Sequence, residues 1–258
     1  MISHMANETT IPKRLWKYRK WNDHARAMIE TGEVKFSTFS EINDPFEGTC
    51  WVKFSADSTE LDRYVREVLA QHHPDDSIPM RTRRYKALHK DFQDKLGEAK
   101  GNTLQYKASN RYGLFSVADH CDDILMWSHY GYQHRGVCIA VLPERFAPKV
   151  FRQVRYVQKI PIATAWEFLG GSYETFQKIA LSKSVAWEYE REWRTAMEPG
   201  VRCFPECVER MVVGALAAED TRREVDEAVK NSSRRIQIHE AHLSDVRFEV
   251  TIEPPIPG

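Results

Sequence analysis

The stretch Gly136–Leu142, GVCIAVL, has no charged residue and is nearly all apolar. It therefore reads as a buried strand, around which the rest of the fold must be arranged. Other strands are read at residues 15–19 (LWKYR), 34–37, 112–117 (YGLFSV), 153–157, 211–215, 235–239 and 248–252. Between the first two, Asn22 or Asp23 is placed to cap a helix that carries Ala25, Met28 and Ile29 on one face and stops at Gly32. Asp122-Asp123 caps a short helix over ILMWSHYG, and residues 173–181 and 220–229 are helical. Strands and helices mix without regular alternation. That predicts an α+β domain with a mixed or antiparallel sheet flanked by helices, not a doubly wound fold.

Residues 58–98 combine helical spacing with many charges, and Pro74 and Pro79 divide them. Two helices are expected there, as an insertion at about 56–100 in a single domain of residues 11–258. The cluster Arg81, Arg83, Arg84 and Lys86 is either a solvated face or a local phosphate-binding patch. Residues 1–10 are expected to be disordered or tag-derived, since Ser3-His4-Met5 resembles a cloning scar.

Composition narrows the function classes. Lys plus Arg number 37 against 37 Asp plus Glu, so there is no overall basic field for nucleic acid, although a local groove stays open. Mean hydropathy is -0.55, and no apolar run approaches the roughly 20 residues of a membrane span. No signal-peptide core precedes residue 15, so a cytoplasmic protein with no membrane partner is expected. The five cysteines are scattered and odd in number, which points to reduced thiols. Cys203 and Cys207 are spaced to share a helix face, but His120-Cys121 is a poor second half for zinc, and no metal is expected. G-x-G-x-x-G and the P-loop pattern are both absent, which counts against Rossmann dehydrogenases and kinases.

Four local constellations carry polar chemistry. Tyr18-Arg19 ends the first strand, where the Arg fork suits a phosphate or carboxylate, or an ion pair with a neighbouring acid. FSTFSEINDPFEG breaks at Asn43-Asp44-Pro45, where Pro45 holds Asp44 extended and Asn43 can close a turn. Phe46 and Glu47 are then expected to line a cleft, facing His129 and Glu192. In Trp127-Ser128-His129-Tyr130, His129 is a candidate acid–base or donor, while Trp127 and Tyr130 lie three apart. In the run 187–194 (WEYEREWR), Glu188, Glu190 and Glu192 share a face if extended, and Glu188 and Glu192 align if helical. Arg19 and Arg194 are the cations that could answer them.

In this order the four segments resemble a bacterial and phage family known as domain of unknown function 2971. Its pattern is matched by Trp16 to Arg19, Phe36 to Glu47, Met126 to Cys138 and Tyr189 to Arg194, within a span of about residues 15–250. A more distant resemblance is to ADP-ribosyltransferase-like toxins acting on DNA bases, and to RNA 2'-phosphotransferases. That resemblance implies NAD as substrate and an ADP-ribosyltransferase-like fold, with Glu192, His129 and Arg19 as catalytic groups. It implies NAD contacts from Tyr18, Arg19, Ser37, Thr38, Tyr112, Phe115 and Ser116, with Phe115 or Tyr112 stacking on nicotinamide. Asn43, Asp44, Phe46, Glu47, Trp127, Tyr130, Glu190 and Arg194 would complete the cleft. The chemistry is consistent, because nicotinamide–ribose cleavage passes through an oxocarbenium-like state that a carboxylate stabilises. The implied role is a toxin or phage-defence effector that modifies nucleic acid or a protein acceptor and is paired with an antitoxin or immunity partner. Two other classes compete with it: a metal-dependent nuclease using His129, Glu47, Asp44 and the 188/190/192 carboxylates, and a non-catalytic module binding through Trp127, Tyr130 and Phe46.

Overall fold

Every residue of Val137–Val141 is buried, because the strand is hydrogen-bonded on both edges and covered on both faces. The computed structural model describes residues 10–53, 58–98, 103–107, 112–146, 151–164 and 173–254. The expectation for the N-terminal ten residues therefore falls almost wholly outside the described residues. The chain divides into two compact units, one of residues 1–42, 110–155 and 185–258, the other of residues 43–109 and 156–184.

Numbered along the chain, the strands of the first unit are β1 (Leu15–Arg19), β2 (Glu33–Thr38), β5 (Gly113–Ala118), β6 (Val137–Val141), β7 (Arg152–Gln153), β11 (Glu192–Met197), β12 (Gly200–Cys203), β13 (Val208–Val213), β14 (Gln237–Leu243) and β15 (Val250–Glu253). They form one sheet in the order β12-β2-β5-β1-β6-β13-β14-β15, with β11 pairing β5 and β7. The described pairings are antiparallel except β13 with β14, which is parallel. The α+β reading with a mixed, mostly antiparallel sheet is thus correct. β1 lies at the centre, in register with β6 from Leu15↔Val141 to Arg19↔Val137.

Side chains alternate across the sheet, and the two faces bury different sets. Leu15, Phe115, Val117, Val137, Ile139, Val141, Trp193 and Met211 point to one face. There they meet α1 (Asp23–Glu30) through Ala25, Met28 and Ile29, and α6 (Glu219–Asn231) through Val225 and Ala228. Trp16, Tyr18, Ala118, Cys138, Ala140 and Val212 point to the other face, against Met126 and Trp127 of α4 (Ile124–His129). The helices start where their caps predict. Asn22 accepts from the Ala25 amide at 3.0 Å, and Asp123 from the Met126 amide at 2.8 Å. Each such cap contributes about 1 kcal/mol. Gly32 takes φ +77°, and a Cβ there would lie 2.4 Å from the Phe204 carbonyl oxygen, so the turn after α1 admits no side chain.

The second unit contains β3 (Thr49–Lys53), paired antiparallel with β4 (Thr103–Lys107) and parallel with β9 (Ile162–Thr164). A two-stranded sheet joins β8 (Arg155–Val157) and β10 (Ser182–Ser184). The two charged helices expected near 58–98 are α2 (Ser58–His72) and α3 (Ile78–Glu98). Helix α2 buries Leu61, Tyr64, Val65 and Leu69 on one stripe. Helix α5 (Tyr173–Ala180) contributes Ile179 to a small core with Cys50 and Ala163. No described helix is long and apolar enough to cross a membrane.

Candidate functional site

The run 187–194 passes into a strand at its end, but its first part is neither extended nor α-helical. Val185–Glu190 is a 3-10 turn, Arg191 adopts φ +42°, and only from Glu192 is the chain extended. The break comes where Arg191 Nε reaches Asp119 at 3.0 Å, and Asp119 is also 2.9 Å from His120 Nδ1. Glu188 is therefore an exposed turn residue, while Glu190 and Glu192 are buried.

Glu192 and Arg194 lie two apart on β11, opposite Ala118 and Ser116, and so share the face that carries Trp16 and Tyr18. Arg194 Nε and Nη2 donate to the two Glu192 carboxylate oxygens, each at 2.8 Å. The Arg194 side chain is 1% exposed and that of Glu192 6%. A planar fork on a carboxylate is the strongest geometry such a pair can take, and it fixes both side chains. Away from water, the field of this pair is weakly screened.

Helix α4 and the 3-10 turn are joined by two consecutive side-chain bonds. Tyr130 donates its hydroxyl to Glu190 at 2.6 Å, and His129 Nδ1 lies 2.8 Å from the Tyr189 hydroxyl. The fold thus brings together two constellations that are 60 residues apart in sequence. Trp127, next to them, is fully buried. It donates to the Cys121 carbonyl at 2.9 Å and meets Tyr18 edge-on at 5.2 Å between centroids. Trp127 is therefore core, and no ligand stacks on it. Burial also pushes the Tyr18 phenol well above its ordinary range, with Cys138 and Cys121 adding to the shift, so Tyr18 serves as a packed neutral ring.

Several other expected contacts are placed elsewhere. Arg19 pairs with Val137, whose side chain lies on the helix-covered face. Strand alternation therefore turns Arg19 away from Glu192. Its Nε is buried with no hydrogen-bond partner among the described residues, and burial lowers its pKa. Phe115 is 2% exposed and stacked on Phe146 at 5.6 Å, so it cannot stack on nicotinamide. Tyr112 precedes β5 and is exposed. Ser116 and Ser37 are half-buried, and Ser37 lies opposite Leu114, on the Arg194 side of the sheet by alternation. Thr38 caps the next turn, where its amide donates to Glu41 at 2.8 Å.

The loop after Asn43 lies in the second unit. Asp44 accepts from the Phe46 amide at 2.9 Å, the self-closing turn that an Asp before Pro favours. Asn43 and Phe46 are exposed. Glu47 is buried, its side chain 1% exposed and 3.0 Å from the equally buried Lys183 ammonium. Glu47 is therefore held in a buried ion pair rather than as an accessible carboxylate. Asp44, Phe46, Glu47, Ile160, Lys183 and Ser184 line part of a pocket of about 230 Å³ within this unit.

Two features had not been singled out from sequence. Tyr132, Gln133 and His134 take φ of 51°, 54° and 64° in succession, although left-handed backbone is costly for residues other than Gly. His134 lies parallel to Trp127, its Nε2 3.2 Å from the Ser128 hydroxyl. Its Nδ1 is buried without a partner among the described residues, and burial lowers its pKa. The second feature is the Asp119–His120–Arg191 brace. Neither has a local sequence signature, since no Gly marks the left-handed run. The cysteines are all free thiols, and burial pushes Cys121 and Cys207 up to about 12. Among the described residues, no three His, Cys, Asp or Glu side chains converge in a way that could hold a metal ion. Comparisons with protein-family models, curated proteins and solved structures find no match.

Proposed function

We propose that the protein is an NAD-consuming enzyme of the ADP-ribosyltransferase-like kind, related to domain of unknown function 2971, and that its chemistry resides on the Trp16/Tyr18 face of the first unit. The observation that carries this reading is the buried carboxylate of Glu192, held bidentately by Arg194 on the strand that follows the Glu190–Tyr130 bond. Cleavage of the nicotinamide–ribose bond develops positive charge on the ribose, and a fixed, poorly screened carboxylate stabilises that charge. Glu192 is the stabilising group in this reading, and Arg194 positions it. In this reading His129, exposed and bonded to Tyr189, takes a proton from an acceptor hydroxyl or amine. Ser116 and Ser37 offer hydroxyls on the same side. Arg19, on the opposite face, drops out of the catalytic set. A metal-dependent nuclease would need converging ligands, and the described residues offer none. An aromatic recognition pocket would need an accessible Trp127, which is fully buried. The role as a phage-defence effector, with a nucleic-acid or protein acceptor, extends this proposal.

The test is nicotinamide release from NAD by purified protein, with and without nucleic acid. Glu192→Gln leaves the Arg194 charge buried and endangers the fold, so Glu190→Gln and Tyr130→Phe are measured beside it, with circular dichroism as the control. Release by wild type that falls at least tenfold in folded Glu190→Gln and Glu192→Gln supports the reading. No release and no NAD binding under any condition overturns it.

A further inference from the structure

Helix α3 is unusual in how little of it is covered. Residues 77–84 are all exposed, over two turns of helix, as are Lys86 and Lys90. A surface helix of a globular protein normally buries one stripe. Here the side chains of the first two turns are all exposed. Charge on this segment is one-sided: from Ser77 to Lys90 the chain carries five cations, Arg81, Arg83, Arg84, Lys86 and Lys90, and no Asp or Glu. Two of the five serve the fold. Arg81 donates to the Pro74 carbonyl at 2.9 Å, and Arg84 Nε pairs with Asp76 at 2.7 Å. The other three, Arg83, Lys86 and Lys90, make no ion pair among the described residues. Their spacing of three and four residues sets them on one stripe, about 10 Å long at 1.5 Å per residue.

We propose that this exposed end of α3 is a docking element for duplex DNA, with Arg83, Lys86 and Lys90 on the phosphate backbone. A helix with its side chains is about 10–12 Å across, and the B-form major groove is about 12 Å wide. An uncovered helix end therefore fits the groove. The A-form major groove of duplex RNA is too narrow and deep to be read in this way. Single-stranded nucleic acid is normally held by exposed aromatic platforms. The one aromatic residue of the segment other than His89 is Tyr85, which is half-buried under the Arg66 guanidinium, 4.8 Å from its ring. A balanced total charge does not oppose this surface, because screening confines each field to about 10 Å at 0.1 M salt. The inference does not depend on NAD chemistry in the first unit, so it is tested without NAD.

The experiment follows fluorescence anisotropy of a short labelled duplex between about 50 and about 200 mM salt. Single-stranded DNA, duplex RNA and anionic phosphatidylserine vesicles are run alongside. Three phosphate contacts predict a log–log slope of about −2.7 for the duplex. Arg83→Glu/Lys86→Glu/Lys90→Glu is expected to weaken binding at least tenfold and flatten the slope, with an unchanged thermal midpoint. Lys230→Glu/Arg235→Glu, at exposed cations on the other unit, is expected to leave both unchanged. The proposal is overturned if the triple variant matches wild type, if single strands, duplex RNA or vesicles bind more tightly than duplex DNA, or if no duplex binding occurs at the lowest salt.

Discussion

Glu192 in the first unit and Glu47 in the second are both carboxylates shut away from water beside a cation, but they are built differently. Glu192 meets Arg194 from two positions along the same strand, through two parallel bonds of 2.8 Å. Glu47 meets Lys183 across a long separation in sequence, at 3.0 Å. The first pair stiffens one strand and sets a charge on a sheet face. The second fastens the Asn43–Gly48 loop to β10. A guanidinium fork dictates direction, whereas an ammonium is a point charge that tolerates several. The difference suggests that one site is built for orientation and the other for anchorage.

The largest effect is expected from Arg194→Met. It strands the Glu192 carboxylate in the interior and should cost about 3–5 kcal/mol by urea denaturation. Adding Glu192→Gln to that variant should restore most of the loss, because an uncharged pair leaves no buried ion. Lys183→Met should cost about 3 kcal/mol, with amide exchange speeding up over residues 44–49 and not over 192–197. Equal exchange changes in both segments would erase the distinction between the two pairs. Tyr130→Phe removes a charge-assisted bond to Glu190 and should cost about 1.5–3 kcal/mol, read as a lower denaturation midpoint.

What could be read in advance follows the range of the interactions. The caps at Asn22 and Asp123, the buried strand at 137–141 and the charged helices α2 and α3 rest on neighbours within a few residues, and each appears near its expected limits. The Glu192–Arg194 pair was half legible, since alternation sets residues two apart on one face. The turn at 185–190 was not legible. Alternating Glu and aromatic residues look extended, whereas the 3-10 turn is tied to distant partners, among them Asp119, His129 and Tyr130. The face of Arg19 is hidden for a related reason: it is set by the register that puts Arg19 opposite Val137 and Tyr18 opposite Cys138, over 100 residues away. Glu47 was read as accessible because nothing near it announces Lys183.

The smallest expected effect is a pH dependence at His134. Burial lowers its folded pKa below the ordinary 6.5, so folding favours the neutral ring. Its contribution is fully present above about pH 6.5 and is lost as pH falls towards the folded value. His134→Asn should flatten the acid limb of stability against pH below about pH 6.5. An unchanged limb would assign that slope to the carboxylates.

The central position of β1 has a consequence for synthesis. Leu15–Arg19 is made well before its partners, the strands at 113–118 and 137–141. At about 5–20 residues per second, roughly 6–25 s separate the translation of Leu15 from that of Val141. Until the strand at 113–118 has been made, Leu15, Trp16 and Tyr18 have no partner strand, and the first segment of the second unit is translated in that time. The nascent chain therefore carries this apolar strand unpaired until its partner strands have been made. An early chaperone that shields residues 15–19 should matter more to its yield than one acting after release.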